Sequence, residues 1–312
     1  PYPQDNLTAL YHSAAQDILK HAGVTKGFCL VVGSERGRLA YELASRSDLE
    51  IYCVEADEEK VAESRRILSP TGLYGSRITV HHADYSAIPY SNYFANLIVS
   101  DSSLLTGKIP VRATDIERHL KPLGGVLCLG SPEIQRTPVK IINNWYAATG
   151  LRDNGRVKEI EQWVTLTRGK LPGAGNWSHL YGDPGNTASS EDTRVKGGLG
   201  VLWFGDPGPG KMVNRHEGAV GPLAVNGRLF VQGENSVMAY DAYNGLLLWE
   251  REIAGASRRK LQAGKVSNLA ANDNSLFVVA GGKCLRLDAA TGKTLRTYAG
   301  PPDNNRSATD WG

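Results

Sequence analysis

Cysteine is scarce in this chain, with 4 in 312 residues, and no Cys-x-x-Cys pair occurs. Cys29, Cys53 and Cys128 lie in apolar runs and Cys284 lies far from them. They read as reduced, buried small side chains rather than as a disulfide frame or a zinc site. The 7 histidines are scattered, and only His81 and His82 are neighbours. Successive residues of a strand face opposite ways, so that pair is poorly placed to chelate one metal. No run approaches the roughly 18 uninterrupted apolar residues of a membrane-spanning helix, and no charged start with an apolar core marks a signal peptide. Net charge is only +3, and no basic run exceeds Arg258, Arg259 and Lys260. No nucleic-acid partner is therefore expected.

What is present divides in two. A chain of this length exceeds the usual single domain, so two folding units are the default. Residues 1–168 alternate strand-like and helix-like segments; 169–187 are rich in turn residues and carry Trp177, His179 and Tyr181; 188–312 show no helix period. In the first part Leu7, Leu10, Tyr11, Ala14, Ala15, Ile18 and Ala22 keep a 3.6 period, which predicts an amphipathic helix ended by Gly23. Phe28–Val32 is an apolar run that meets Gly33 and Gly37, and Ile51–Val54 is a second run ending at the acid Glu55. Strand, glycine turn, helix, strand, acid is the order of a nucleotide-binding unit: glycine brings backbone close to a ligand, and the acid accepts ribose hydroxyls.

A helix opening with Asp57, Glu58 and Glu59 follows, stopped by Ser69 and Pro70. Further strands are predicted at Ile78–His82, Asn96–Ser100 and Gly125–Leu129, then a helix from Glu133 to Thr149 and a strand over Glu161–Thr167. The fold class is a Rossmann-like, doubly wound α/β sheet.

The succession VVGSERGRLA, IYCVEAD, ITVHHADYSAIPY, ANLIVSD and ERHLKPLGGVLCLG, spanning roughly residues 7–168, resembles the class I S-adenosylmethionine-dependent methyltransferases. The resemblance implies S-adenosylmethionine as cofactor. It implies that Gly33 and Gly37, with Ser34, lie along the methionine end, that Glu55 with Ala56 holds the ribose, and that Asp84 with Tyr85 meets the adenine. Two departures stand out. Val31 replaces the family's acid two residues before the first glycine, and Glu35 replaces its middle glycine, where a side chain is expected to crowd or repel a methionine carboxylate. Methyl transfer needs mainly alignment of the nucleophile, so catalytic residues vary with the substrate. Asp101, at the end of the fourth predicted strand, is the candidate; the other reading of it is a helix cap.

Sliding the chain by 47 residues brings Leu229, Phe230 and Val231 onto Leu276, Phe277 and Val278, Asp241 and Ala242 onto Asp288 and Ala289, and Gly245 onto Gly292. An all-β period of this size suggests propeller blades. The words AYDAYNGLLLWERE and RLDAATGKTLRTY resemble the blade repeat of pyrroloquinoline quinone (PQQ)-type β-propellers, over roughly residues 176–312. That resemblance implies that Asp and Gly shape a turn and that Trp249 packs between blades. A partial earlier copy ends at Trp203, and Arg296 stands where the last copy would carry tryptophan. Closed propellers need at least about four blades, so the sequence is expected to be a fragment of a longer protein.

Three functional readings follow. One is a methyltransferase acting on a small-molecule or protein substrate that the blades present; another is a scaffold whose blades dock a protein partner. The third, a quinone-dependent dehydrogenase, lacks the adjacent cysteines and the calcium site that the resemblance would require. The cofactor points to the cytoplasm and the propeller resemblance to export, so the compartment stays open.

Overall fold

The computed structural model describes residues 1–133, 138–151, 154–206, 211, 221–256 and 268–299, divided into two compact units, Pro1–Leu171 and Pro172–Gly312. Among the described residues no helix is long and apolar enough to cross a membrane.

The first unit runs α1 (Thr8–Ala22), β1 (Lys26–Val32), α2 (Arg38–Ala44), β2 (Asp48–Glu55), α3 (Glu58–Leu68), β3 (Ile78–His82), β4 (Leu97–Ser100), α4 (Asp101–Thr106), α5 (Ala113–Ile116), β5 (Val126–Gly130), α6 (Val139–Ala147), β6 (Gly155–Ile160) and β7 (Trp163–Arg168). Its sheet has the order β3-β2-β1-β4-β5-β7-β6. The first five strands pair in parallel, while β7 runs antiparallel to both β5 and β6. The central strands β1, β4 and β5 are apolar on both faces because both are covered. Cys29 and Val31 of β1 pack with Leu10, Tyr11, Ile18, Leu39 and Leu43, whereas Leu30 and Val32 pack with Ile116, Ile142 and Tyr146. All three cysteines of this unit are free and buried.

Local chemistry sets the boundaries. Gly23 ends α1 in a left-handed conformation that returns its N–H to Leu19. Asp57 caps α3 by accepting from the N–H groups of Glu59 and Lys60. Ser69 and Pro70 do not stop α3 outright, since the chain tightens into a 3-10 turn over Ser69–Thr71 before Gly72 turns it away. The helix predicted from Glu133 is shorter: Pro138 is its N-cap, and it begins at Val139. Proline suits a helix entrance but disfavours helical backbone in the residue before it. Ile134, assigned to that helix by periodicity, lies outside the described residues.

The second unit holds two four-stranded antiparallel sheets in simple sequential order. One comprises β8 (Leu223–Val225), β9 (Arg228–Gln232), β10 (Ser236–Asp241) and β11 (Leu247–Glu252); the other comprises β12 (Leu269–Ala271), β13 (Ser275–Ala280), β14 (Lys283–Asp288) and β15 (Thr294–Ala299). They share one core in which Leu223, Phe230, Val237 and Trp249 pack with Leu269, Leu276, Val278 and Leu287. The repeat therefore corresponds to a four-stranded sheet.

The two Asp-Ala-x-x-Gly words make equivalent turns. Gly245 and Gly292 take φ of 74° and 70°, and their N–H groups donate to Asp241 and Asp288 carbonyls at 2.9 and 2.8 Å. A tryptophan from earlier in the chain lies on each. Trp203 Nε1 donates to the Ala242 carbonyl at 3.0 Å, and Trp249 Nε1 donates to that of Ala289 at 3.1 Å. A Cβ at Gly245 would overlap the Trp203 ring, and one at Gly292 would stand 2.7 Å from that of Trp249. Glycine is thus required at both turns for its left-handed φ and for the ring above it.

Candidate functional site

The order β2-β1-β4 places the reversal of strand direction-of-progress between β1 and β4, and in open α/β sheets ligands bind beyond the carboxyl ends of the strands at such a point. Here that edge is made by the turn Gly33–Gly37, by Glu55 and by the start of α4. Gly33, Glu35 and Gly37 all have positive φ, of 60°, 50° and 76°. Glu35 therefore occupies a left-handed position that costs a side-chain-bearing residue about 1 kcal/mol or more.

Bonds to distant elements hold it there. The Glu35 N–H donates to Glu55 Oε2 at 2.8 Å, and its carbonyl accepts from Ser64 Oγ at 3.1 Å. Its carboxylate accepts from the Ser102 hydroxyl on Oε1 and pairs with Lys60 Nζ at 2.6 Å through Oε2. With a side chain only 14% exposed, Glu35 spans the edge from the β1 turn to the start of α4. The Lys60 ammonium is held more strongly protonated than usual, first by its hydrogen bond to Glu35. Ser102 also donates its N–H to the Gly33 carbonyl at 2.8 Å, which closes the β1 turn against α4.

Glu55 is the hub of the edge. It is 3% exposed and accepts four hydrogen bonds: from Ala56 N at 2.9 Å, Asp57 N at 3.2 Å and Tyr85 Oη at 2.9 Å on Oε1, and from Glu35 N on Oε2. Burial and the adjacent Glu55 carboxylate both raise the Tyr85 phenol, so it remains a donor at neutral pH. Ala56 also offers its carbonyl to His82 Nε2 at 3.1 Å. Asp84 is exposed and caps the turn after β3, with both Ser86 donors falling on Oδ1. Those Ser86 bonds lower its pKa. Ser34 is fully buried.

Asp101 belongs to a different environment. It has no exposed surface, accepts from Tyr11 Oη at 2.8 Å and Leu39 N at 3.4 Å, and is raised to about 8 by burial. The cap of α4 is Ser100, whose hydroxyl accepts from Ser103 N, so the helix-cap reading of Asp101 moves one residue back. Because Asp101 takes the Leu39 N–H, that amide at the start of α2 does not face a ligand.

A pH experiment tests this burial. Asp101 keeps in the folded state a proton that the unfolded chain releases between pH 3.8 and 8, so stability falls as pH rises through that window. His119, buried with Nδ1 on the Ser91 carbonyl, is lowered to about 4 by burial; its contribution falls as pH drops from 6.5 towards 4. The two oppose each other over the acid range. Above pH 6.5 Asp101 acts alone and should remove about 2 kcal/mol by pH 8. Urea unfolding of the whole chain against pH should show that fall for the first unit, and D101N should abolish it.

The sequence identified the edge but missed the residues that fill it. Ser102, Lys60 and Tyr11 reach the site from other elements. Arg38, 6% exposed, binds both Asp5 oxygens, at 2.8 and 3.0 Å, and lies over the Tyr2 and Tyr11 rings. Tyr2 Oη in turn donates to the Arg36 carbonyl, fastening the first residues to the glycine turn. No spacing rule links such pairs; only the fold does.

Two ends of this edge differ in what they can accept. At one end the Glu55 carboxylate is bonded to Tyr85, and the exposed Asp84 carboxylate precedes Tyr85 in the chain. Over the glycine turn, a Cβ at Gly33 would overlap Ser102 and come within 2.8 Å of the Pro110 ring, and the Glu35 carboxylate is already in place. The first end presents carboxylate oxygens; the second is already filled by a carboxylate of the chain itself.

The chain's own geometry thus defines a Rossmann-like, doubly wound domain with a buried carboxylate, Glu55, at the carboxyl edge of its sheet. No protein-family model matches the chain, and no curated protein matches it. Solved structures do. A Methanococcus maripaludis protein, provisionally named an S-adenosyl-L-methionine-dependent methyltransferase, is similar at 22% identity over 53% of this chain and 87% of that one, with a TM-score of 0.43. A SAM-dependent methyltransferase from Aquifex aeolicus is similar at 18% identity over 49% of this chain and 88% of that one, with a TM-score of 0.40. Phosphoethanolamine N-methyltransferase 2 of Haemonchus contortus, solved with S-adenosyl-L-methionine, is similar at 18% identity over 47% of this chain and 38% of that one, with a TM-score of 0.36.

Proposed function

We propose that the first unit is a domain of the S-adenosylmethionine-dependent methyltransferase type that binds an adenosyl ligand at the Glu55 edge. The observation that carries this reading is the Glu55 carboxylate, fixed at the end of β2 beside the strand-order reversal and flanked by Tyr85 and Asp84. In it Glu55 accepts the ribose hydroxyls, Ala56 and Tyr85 border the sugar and base, and Asp84 accepts from the adenine amino group through Oδ2. Gly33, Ser34 and Gly37 form the floor. S-adenosylmethionine, when bound, would supply an electrophilic methyl group. Because the methionine end does not fit the turn as folded, no transfer step is assigned, and Asp101 is given a positioning role between Tyr11 and α2 rather than a catalytic one.

Titration calorimetry of the whole chain with S-adenosylmethionine, S-adenosylhomocysteine and adenosine tests the reading. Heat of binding from at least one of them, weakened about tenfold or more in D84A, is expected. Silence from all three at millimolar concentration would leave the second reading, a non-catalytic scaffold, which the Glu35–Ser102–Lys60 linkage favours.

For the second unit the reading is a run of PQQ-like propeller blades that serves as a docking platform for a protein partner. The matched turns under Trp203 and Trp249 support it, because one ring-on-glycine contact is repeated from sheet to sheet.

A further inference from the structure

Resting on the adenosyl-binding reading, we propose that Glu35 stands in for the ligand's carboxylate. The site therefore selects adenosyl ligands that end in an uncharged or cationic group, such as a 5′-thioether, over those with an amino-acid tail. Four observations converge. Glu35 holds a left-handed φ of 50° where bare glycine backbone would otherwise face a ligand. Its N–H is spent on the Glu55 carboxylate, the group that reads the sugar, so turn and sugar site are one bonded unit. Its two oxygens are satisfied by Ser102 and Lys60, so the hydroxyl and the ammonium that an incoming carboxylate would need are already engaged. Finally, Ser102 and Pro110 pack so closely over Gly33 that even a Cβ there would collide with them.

The electrostatic consequence is direct. A ligand carboxylate entering this space meets a like charge at close range and finds the hydroxyl and ammonium already engaged. Displacing Glu35 would break two hydrogen bonds of charged groups in a largely water-excluded place. A neutral methylthio tail meets neither cost. An aminopropyl tail would meet an attractive carboxylate.

Calorimetry on the full chain with 5′-methylthioadenosine and with S-adenosylhomocysteine decides it. The wild type is expected to bind the thioether nucleoside at least about tenfold more tightly. E35G removes the carboxylate at a position whose φ suits glycine, and should reverse that order. E35Q keeps the shape without the charge and should narrow the gap. Equal or tighter binding of S-adenosylhomocysteine by the wild type would overturn the inference while leaving the adenosyl reading standing. Failure of both nucleosides to bind the wild type and either variant would overturn both.

Discussion

Replacing Glu55 by alanine is expected to abolish adenosyl-ligand binding and to loosen the first unit together. The carboxylate accepts three backbone N–H groups and the Tyr85 hydroxyl, one of those N–H groups belonging to the left-handed residue of the glycine turn. Hydrogen bonds to a charged group contribute about 1.5–3 kcal/mol each, and a donor left buried without a partner costs a further amount. Water reaches the exposed Ala56 side of the cluster, so the net loss should be nearer about 3 kcal/mol than the sum. Ligand affinity should fall by about a hundredfold or more, since on the proposed reading the sugar loses its carboxylate acceptor and the turn beside it loses its anchor. E55Q separates the two effects: its amide oxygen can keep the Oε1 donors, while the amide nitrogen faces the Glu35 N–H with no acceptor. Hydrogen exchange at Glu35 and Tyr85, read beside calorimetry, would show whether turn and affinity fail together. An E55A protein that binds 5′-methylthioadenosine as the wild type does would remove Glu55 from the site.

Loss of the Trp249 ring should be the most costly single change in the second unit. The side chain is 9% exposed, packs with Phe230 at a ring separation of 6.2 Å and covers Gly292 while bonding to Ala289. Truncation of a buried aromatic to alanine typically costs about 3–5 kcal/mol. W249F keeps most of the apolar contact and loses the Nε1 bond, for about 1 kcal/mol. Trp203, half-buried, should cost less on truncation than Trp249. Denaturant unfolding of the whole chain followed by near-ultraviolet circular dichroism gives the order W249A, W203A, W249F. A W249A protein as stable as the wild type would show that the sheets are held by other contacts.

How far the fold was legible depended on the range of the interactions that set it. Ile78–His82 and the Gly23 stop were readable because an apolar run and a left-handed glycine act locally. β6 was not, since its side chains are mostly exposed and polar and its pairing with β7 makes it a strand. Its Lys158 and Glu159 suit an outer edge that must resist further pairing. The candidate site shows the same division. Glu55 and the glycines were found from the order of elements. The partners of Glu35 stand 67 and 25 residues away, and Tyr11 lies 90 residues from Asp101, distances at which a linear pattern carries no signal.

The placement of Trp203 and Trp249 shifts the mechanical subunits of the second region out of phase with its written repeat. Each indole comes from one copy and seats on the corner of the next, so the sheet β8–β11 is completed by a side chain that precedes it by some twenty residues. Anyone excising a single copy at the repeat boundary would carry away a corner without its keystone. A cut made before Leu199 keeps that keystone in place.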